Sequence, residues 1–379
     1  MKNRLVLLIL IFLANTCAAQ IGREVTSLSD TGYTFPPDTT PNIYRILMEE
    51  YTGHLCGNGP AADSILYNSI VPRYGDTIIT IGVHAGIFAD TCPVGLACGG
   101  NPAGSFTEDF RTLDGDNWNT FFSITAYPEA MINRKDYPLG NQGKTTNVWN
   151  SQIANIIQNA PKVKIRVHAE YNPITRQLNT YSETNFLARL SGNYKLNVIL
   201  TEDSIISWQV HNGAVIVYDS TYIHRDVMRG SLNGPFGEQV NVDTATLAGT
   251  LIQKNYSATL AQEWDVNYIR VVAFLYDDST KEILNVARDN NFMFVTGIDE
   301  MVSINSIGIF PNPAGVSSIL RLNTQLKEGE IIIYDLLGQE RLKQELKGTE
   351  INIESLQRGI YIVCVRKADR EYTQKLIIE

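Results

Sequence analysis

The chain is 379 residues long and 44% hydrophobic, enough apolar material for two or three packed domains. Its formal net charge is −9, with no run of Lys or Arg. That excludes the clustered positive footprint of a nucleic-acid-binding surface, and no nucleic-acid partner is expected. Residues 1–19 read as a signal peptide: Lys2 and Arg4 are positive, Leu5 to Leu13 are apolar, and Cys17-Ala18-Ala19 is a small-residue cleavage site. An apolar run this short cannot cross a hydrocarbon layer about 30 Å thick. No other run resembles a span, so an exported chain beginning at Gln20, without a transmembrane segment, is expected.

Residues 20–41 are polar and carry Pro36, Pro37 and Pro41, the composition of a linker. Over 42–161 strand and helix signals alternate. IYRILMEEY reads as a buried strand, PAADSILYNSIVPRY as a helix with Pro60 in its first turn, and DTIITIGVH as a second strand. The Gly-rich insertion AGIFADTCPVGLACGGNPAG follows, then an aromatic helix around NWNTFFSI, the turn AYPEAMINR and the helix TTNVWNSQIANIIQNA. This order predicts parallel strand pairing in an α/β layer. Over 162–299 the helical signals stop. Alternating runs such as KVKIRVHAEYN, YKLNVILTED and YIRVVAFLYDD predict an antiparallel β-sandwich. Short, regularly spaced strands over 304–379 predict a small all-β module.

Cleavage would remove Cys17 and leave Cys56, Cys92, Cys98 and Cys364. Cys364, in GIYIVCVRK, alternates with Ile362 on one strand face and reads as a small buried apolar residue. Cys92 and Cys98 share the Gly/Pro-rich loop, where a disulfide would staple an irregular segment in an exported protein. Cys56 sits where the first strand turns into a helix. Unpaired N–H groups there favour thiolate, yet three residues on stands Gly59, so no second sulfur can resolve a mixed disulfide. Three readings stay open for Cys56: a monothiol mechanism using an external thiol, an idle buried cysteine, or a bridge to Cys92 or Cys98. His54 and His84 follow the ends of two neighbouring strands, and with Cys56 they form the minimum set for soft copper or zinc binding; hydrogen-bonded edge residues are the alternative. Glu49 and Glu50 are adjacent, so on a strand they point to opposite faces and make no acid/base pair. The chain carries no P-loop, G-x-S-x-G, H-E-x-x-H or dinucleotide fingerprint. No cofactor and no firm catalytic residue follow.

Two stretches resemble known families. Phe310-Pro311-Asn312-Pro313-Ala314, Ile333-Tyr334-Asp335-Leu336-Leu337-Gly338, Leu356 with Gly359-Ile360-Tyr361, and Lys375-Leu376-Ile377 resemble a type A C-terminal sorting domain. The resemblance implies a small immunoglobulin-like sandwich that marks cargo for the type IX secretion system of Bacteroidota. It also implies that system and its C-terminal processing protease as partners. The segment from Tyr44 to about Gly297 is similar to a Bacteroidota outer-membrane-protein-related family with a thioredoxin-like front domain. Glu50 to His54, Cys56-Gly57-Asn58, His84-Ala85-Gly86, Tyr127-Pro128, Asn133-Arg134, His224, Met228-Arg229 and Gly237-Glu238 carry the match. It implies a thioredoxin-like domain over 42–161, with Pro128 where such folds place a cis-proline beside the cysteine. The family motif is C-x-N-C, and this chain departs from it at Gly59. The expected function is therefore an exported cell-surface or secreted binding or structural protein without intrinsic catalysis. A monothiol thiol–disulfide oxidoreductase is the alternative, and a copper or zinc binding protein the third reading.

Overall fold

The computed structural model describes residues 33–379 except 93–100, 103, 141, 242–244, 291, 296–307, 317–318, 324–327 and 368–369. The signal peptide and the first part of the linker lie outside the described residues. The chain divides into two units, one ending at Thr296 and the other beginning at Gly297.

In the first unit β1 (Ile46–Thr52) and β2 (Ile78–His84) run parallel, in register from Ile46↔Ile78 to Thr52↔His84. Between them lie α1 (Gly59–Ile65), a π-helical turn (Leu66–Ile70) and α2 (Val71–Tyr74). Pro60 sits in the first turn of α1, where the missing N–H breaks no helical bond, and Pro72 lies in α2, which follows directly on the π-helical turn. The helix α3 (Leu113–Phe121) starts where the Thr112 hydroxyl accepts the Gly115 N–H at 3.0 Å. It leads to β3 (Glu129–Ile132), antiparallel to β1, and then to α4 (Trp149–Ile156). The remaining elements are strands. They are β4 (Val163–Asn172), β5 (Gln177–Phe186), β6 (Leu190–Ser191), β7 (Tyr194–Glu202), β8 (Ile205–Val210) and β9 (Tyr218–His224). After them come β10 (Val227–Ser231), β11 (Glu238–Gln239), β12 (Ala245–Thr246), β13 (Leu251–Thr259), β14 (Ile269–Asp277), β15 (Ile283–Asp289) and β16 (Met293–Phe294).

The main sheet has the order β15-β14-β7-β10-β2-β1-β3, with β11 beside β7. Strands from both sides of residue 161 therefore share one sheet, where two domains, 42–161 and 162–299, were expected. The reason lies in β2, every residue of which is buried. Its edge away from β1 carries backbone groups that need partners, and β10 supplies one at Val227↔Gly82. The Gly82 N–H donates to the Asp226 carbonyl at 2.8 Å. A Cβ on residue 82 would lie 3.0 Å from the Arg225 carbonyl oxygen, so glycine lets the two backbones meet.

Period-2 alternation divides the cores. On β14, Val271, Ala273 and Leu275 face the second sheet, β13-β5-β4-β16, and join the core of Val163, Val198 and Leu200. Val272, Phe274 and Tyr276 face the other way, onto Trp118 and Phe122 around α3. On β1, Leu47 and Tyr51 join that second core, while Ile46 and Met48 pack with α1, the π-helical turn and α4 through Ala62, Leu66, Trp149 and Ile153. Arg134 is fully buried in the second core, 2.6 Å from Glu49, with its guanidinium against Trp118, Phe122, Phe274 and Tyr276 at 4.8–5.3 Å. No described helix is long and apolar enough to cross a membrane.

The second unit has two sheets, β17 (Gly308–Phe310), β18 (Ile319–Asn323) and β21 (Glu350–Asn352) against β19 (Glu328–Asp335), β20 (Glu340–Lys347), β22 (Gly359–Lys367) and β23 (Arg370–Ile378). Leu320, Ile331, Ile333, Ile351, Val363 and Leu376 are among the residues of its core.

Candidate functional site

At the end of β1 the chain makes a tight turn. Cys56 N–H donates to the Gly53 carbonyl, and Gly59 N–H to the Cys56 carbonyl, both at 2.8 Å. Gly53 presses on residues 88 and 89, where a Cβ would sit 2.3 Å from the Phe88 carbonyl oxygen. The β8–β9 hairpin closes over this turn. Val210 N–H donates to the His54 carbonyl and Asn212 N–H to the Gly57 carbonyl, both at 2.8 Å, while the Gln209 amide reaches the Cys56 carbonyl at 3.0 Å.

Cys56 is free and 1% exposed beneath this cover, which removes the bridge to Cys92 or Cys98. Burial pushes its thiol up, against the pull of the Asn58 and Gly59 N–H groups, and Glu50 and Asp63 push it further. Burial thus outweighs the helix-terminus effect that favours thiolate. Beneath the turn, buried Glu50 hydrogen-bonds to Asp63, which also accepts from the Tyr222 hydroxyl. Burial raises both carboxyls, Glu50 well above its ordinary value, so the pair holds protons as a carboxylate and a carboxylic acid do in close contact. Glu49 lies on the opposite face, with Arg134.

The histidines assemble differently from the expected set. His54 Nε2 donates to the Asp90 carbonyl at 2.7 Å, and its ring lies 5.9 Å from that of Phe110. Phe110 also packs on His84 at 5.2 Å and on His224 at 5.1 Å, and the His84 and His224 rings are 5.4 Å apart. His224 Nε2 donates to the Trp208 carbonyl at 3.2 Å. Burial lowers all three, His84 well below its usual value and His224 to about 3. Among the described residues no group of three His, Cys, Asp or Glu side chains is placed to hold a metal ion. His54, Cys56 and His84 are therefore not a ligand set; an aromatic ring packs against both histidines instead.

The Tyr127–Pro128 peptide, directly before β3, is cis. Cys92 is buried, and Cys98 lies outside the described residues. Cys364 is buried in β22. In the second unit Pro311, Asn312 and Pro313 are exposed. The Asn312 amide donates to the Lys375 carbonyl at 2.7 Å and accepts the Ile377 N–H at 2.9 Å, tying this segment to β23. Gly338 has φ +76°, which a glycine adopts without strain, and the Tyr361 hydroxyl reaches the Gln357 carbonyl at 2.9 Å beyond Gly359.

Asp63, Gln209, Tyr222 and His224 were missed as site residues. Asp63 had a readable signal, an acidic residue on the helix that Cys56 precedes; the hairpin residues had none.

Residues 116–291 match the family described as outer membrane protein Omp28, and residues 308–379 match the secretion system C-terminal sorting domain. No curated protein matches the chain. Among solved structures, HBP35 of Porphyromonas gingivalis is similar at 12% identity and a TM-score of 0.50, over 89% of this chain and 99% of that one. A domain of the outer membrane lipoprotein Omp28 from Porphyromonas gingivalis aligns at 20% identity and a TM-score of 0.24, over 35% of this chain and 90% of that one.

Proposed function

From a chain that joins an Omp28 outer membrane protein region to a type IX sorting domain, and is exported to the cell surface or outer membrane, we propose a non-catalytic binding or structural protein on a thioredoxin-like scaffold. The element order β1-α1-β2-α3-β3-α4 supports the scaffold, with parallel β1 and β2, antiparallel β3, a cysteine at the first strand–helix turn and Pro128 before β3. The observation that carries the reading is the Cys56 thiol: buried under the β8–β9 hairpin, held protonated, and with Gly59 where a resolving cysteine would stand. A Cys92–Cys98 bridge would staple the neighbouring loop, a reading supported by Cys92 not being free. Signal cleavage before Gln20 and C-terminal processing belong to the same export route.

A monothiol oxidoreductase is the second reading. It is favoured by the Glu50–Asp63 pair near the thiol, which could take up its proton. Thiol reactivity separates the two. In a Cys364→Ser background, native Cys56 should react with a disulfide reagent at neutral pH at least about a hundredfold more slowly than glutathione, since only exposed thiolate reacts. Rapid labelling, together with glutathione-dependent disulfide reduction that Cys56→Ser abolishes, would establish the enzyme instead.

A further inference from the structure

A cavity of about 410 Å³ lies between the segment 67–76 and the ends of β2, β7, β10, β14 and β15, and Cys56 is not among its lining residues. Its charged lining is Arg225, Arg270 and Arg288 with Asp76, Asp203 and Asp226. Arg270 is occupied, donating to the Asn267 and Ile269 carbonyls at 2.8 and 2.9 Å. Arg225 and Arg288 are not. The nearest carboxylate to Arg225 is Asp203 at 3.8 Å, and to Arg288 it is Asp226 at 3.7 Å, both beyond hydrogen-bond length. Among the described residues neither guanidinium donates a hydrogen bond, and Arg288 is only 23% exposed. A partly buried guanidinium has five N–H donors in a planar fork, and leaving them without acceptors is unfavourable.

Asp226 does not meet this demand. Its carboxyl already accepts from the Thr80 hydroxyl and from Tyr67 at 3.4 Å, and burial raises it toward the neutral form. Arg225 lies over the Tyr67 ring at 5.4 Å, which holds its fork at the rim. A second cavity, of about 430 Å³, shares Asp76, Arg288 and Asn290 with the first and adds Arg45, Lys164 and Arg166. Lys164 and Arg166 are already paired, with Asp38 at 2.6 Å and Glu183 at 2.5 Å. The two cavities together carry six cations beside five carboxylates, Asp38 and Glu183 included, and Arg225 and Arg288 are the cations whose nearest carboxylates lie beyond hydrogen-bond length.

We propose that the cleft binds a small molecule through an oxyanion, carboxylate or phosphoryl, seated between Arg225 and Arg288. The arrangement suits bidentate guanidinium recognition, and the volume suits a ligand of metabolite size. The site stands apart from Cys56, so it holds whether or not that thiol is reactive.

Titration calorimetry on the full-length mature protein at low ionic strength tests this, with inorganic phosphate and succinate as separate probes. At least one should bind with a Kd of about 1 mM or tighter, and the stronger probe shows whether phosphoryl or carboxylate is preferred. Arg225→Gln should weaken it about tenfold, the loss of one charge-assisted pair. The Arg225 side chain is 41% exposed and Gln keeps its polar stem, so this variant should keep the fold. Arg288→Gln should weaken binding at least as much, and added salt should weaken it further. Cys56→Ser should leave it unchanged. Absence of heat with both probes, or an Arg225→Gln protein that binds like wild type, overturns the assignment.

Discussion

Replacing Gly59 by cysteine restores the sulfur that the turn lacks, and the geometry specifies what should follow. Gly59 is the first residue of α1 and its φ lies outside the left-handed region, so a side chain brings no backbone strain. Its Cβ would sit 3.9 Å from the Cys56 Cβ, inside the roughly 3.5–4.5 Å span of disulfides. The closest neighbour is the Thr52 hydroxyl at 3.1 Å, which must yield by a few tenths of an ångström. Closing so short a loop stabilises by at most about 2 kcal/mol on the chain-entropy model, and the Thr52 contact offsets part of that. Gly59→Cys should therefore fold, with a stability within about 1–2 kcal/mol of wild type. Thiol titration of the oxidised protein in denaturant should find one group fewer than in wild type, because Cys56 is consumed with its new partner. Disulfide-reductase activity with dithiothreitol should rise above the wild-type level. One thiol more than wild type would mean that the two sulfurs do not meet, and the scaffold argument built on this turn would fall. Equal turnover by wild type and variant, lost in Cys56→Ser, would instead identify a monothiol enzyme.

Three further outcomes are expected. Glu49→Gln leaves the Arg134 guanidinium charged and fully buried among aromatic rings, and urea denaturation should show a loss of about 3–5 kcal/mol; a loss under 1 kcal/mol would mean that water or another acceptor replaces the pair. Buried neutral His224 has a folded pKa of about 3 against about 6.5 unfolded, so the unfolded state binds more protons between those values and stability falls as pH drops through that window. Buried Glu50, Asp63 and Asp226 act with the opposite sign, so the comparison is with His224→Phe, whose stability slope between pH 6 and 4 should be less steep than wild type by about 1.4 kcal/mol per pH unit, and equal slopes would refute the assignment. Truncation after residue 304 should leave a folded first unit that accumulates in the periplasm, and fractionation finding normal surface levels would remove the sorting role.

The parts of the fold carried by local pattern were legible. The first strand, turn, helix and parallel second strand followed from an apolar run, a cysteine and Pro60, and in the second unit β18, β19, β21, β22 and β23 from regular spacing and motif, while β20 was not read. The common sheet was not legible, because the pairing of Gly82 with Val227 spans about half of the unit and leaves no mark in either neighbourhood beyond a glycine in a strand. What covers Cys56 was likewise hidden. An idle buried cysteine was one of three open readings, but Gln209 and Asn212, which close over it, leave no mark near residue 56. His84 was singled out from its place at a strand end, yet His224, its neighbour, comes from a hairpin 140 residues later. Adjacency of Glu49 and Glu50 correctly separated them, but it said nothing of the helix residue that Glu50 would meet.

The position of β2 between β1 and β10 also sets an order of events in time. While the chain emerges from its N-terminus, β1, β2 and β3 can pair locally, but the outer edge of β2 has no partner until residues 227–231 arrive, and the sheet ends only with β15 at Asp289. Such non-local closure slows folding, and an apolar strand with an open edge invites pairing with other chains in the interval. For a protein that must leave one compartment before reaching its final place, the vulnerable species is thus a nascent chain that already carries β2 but not yet residues 227–231. Crowding by its own copies, more than heat, should be what diverts it.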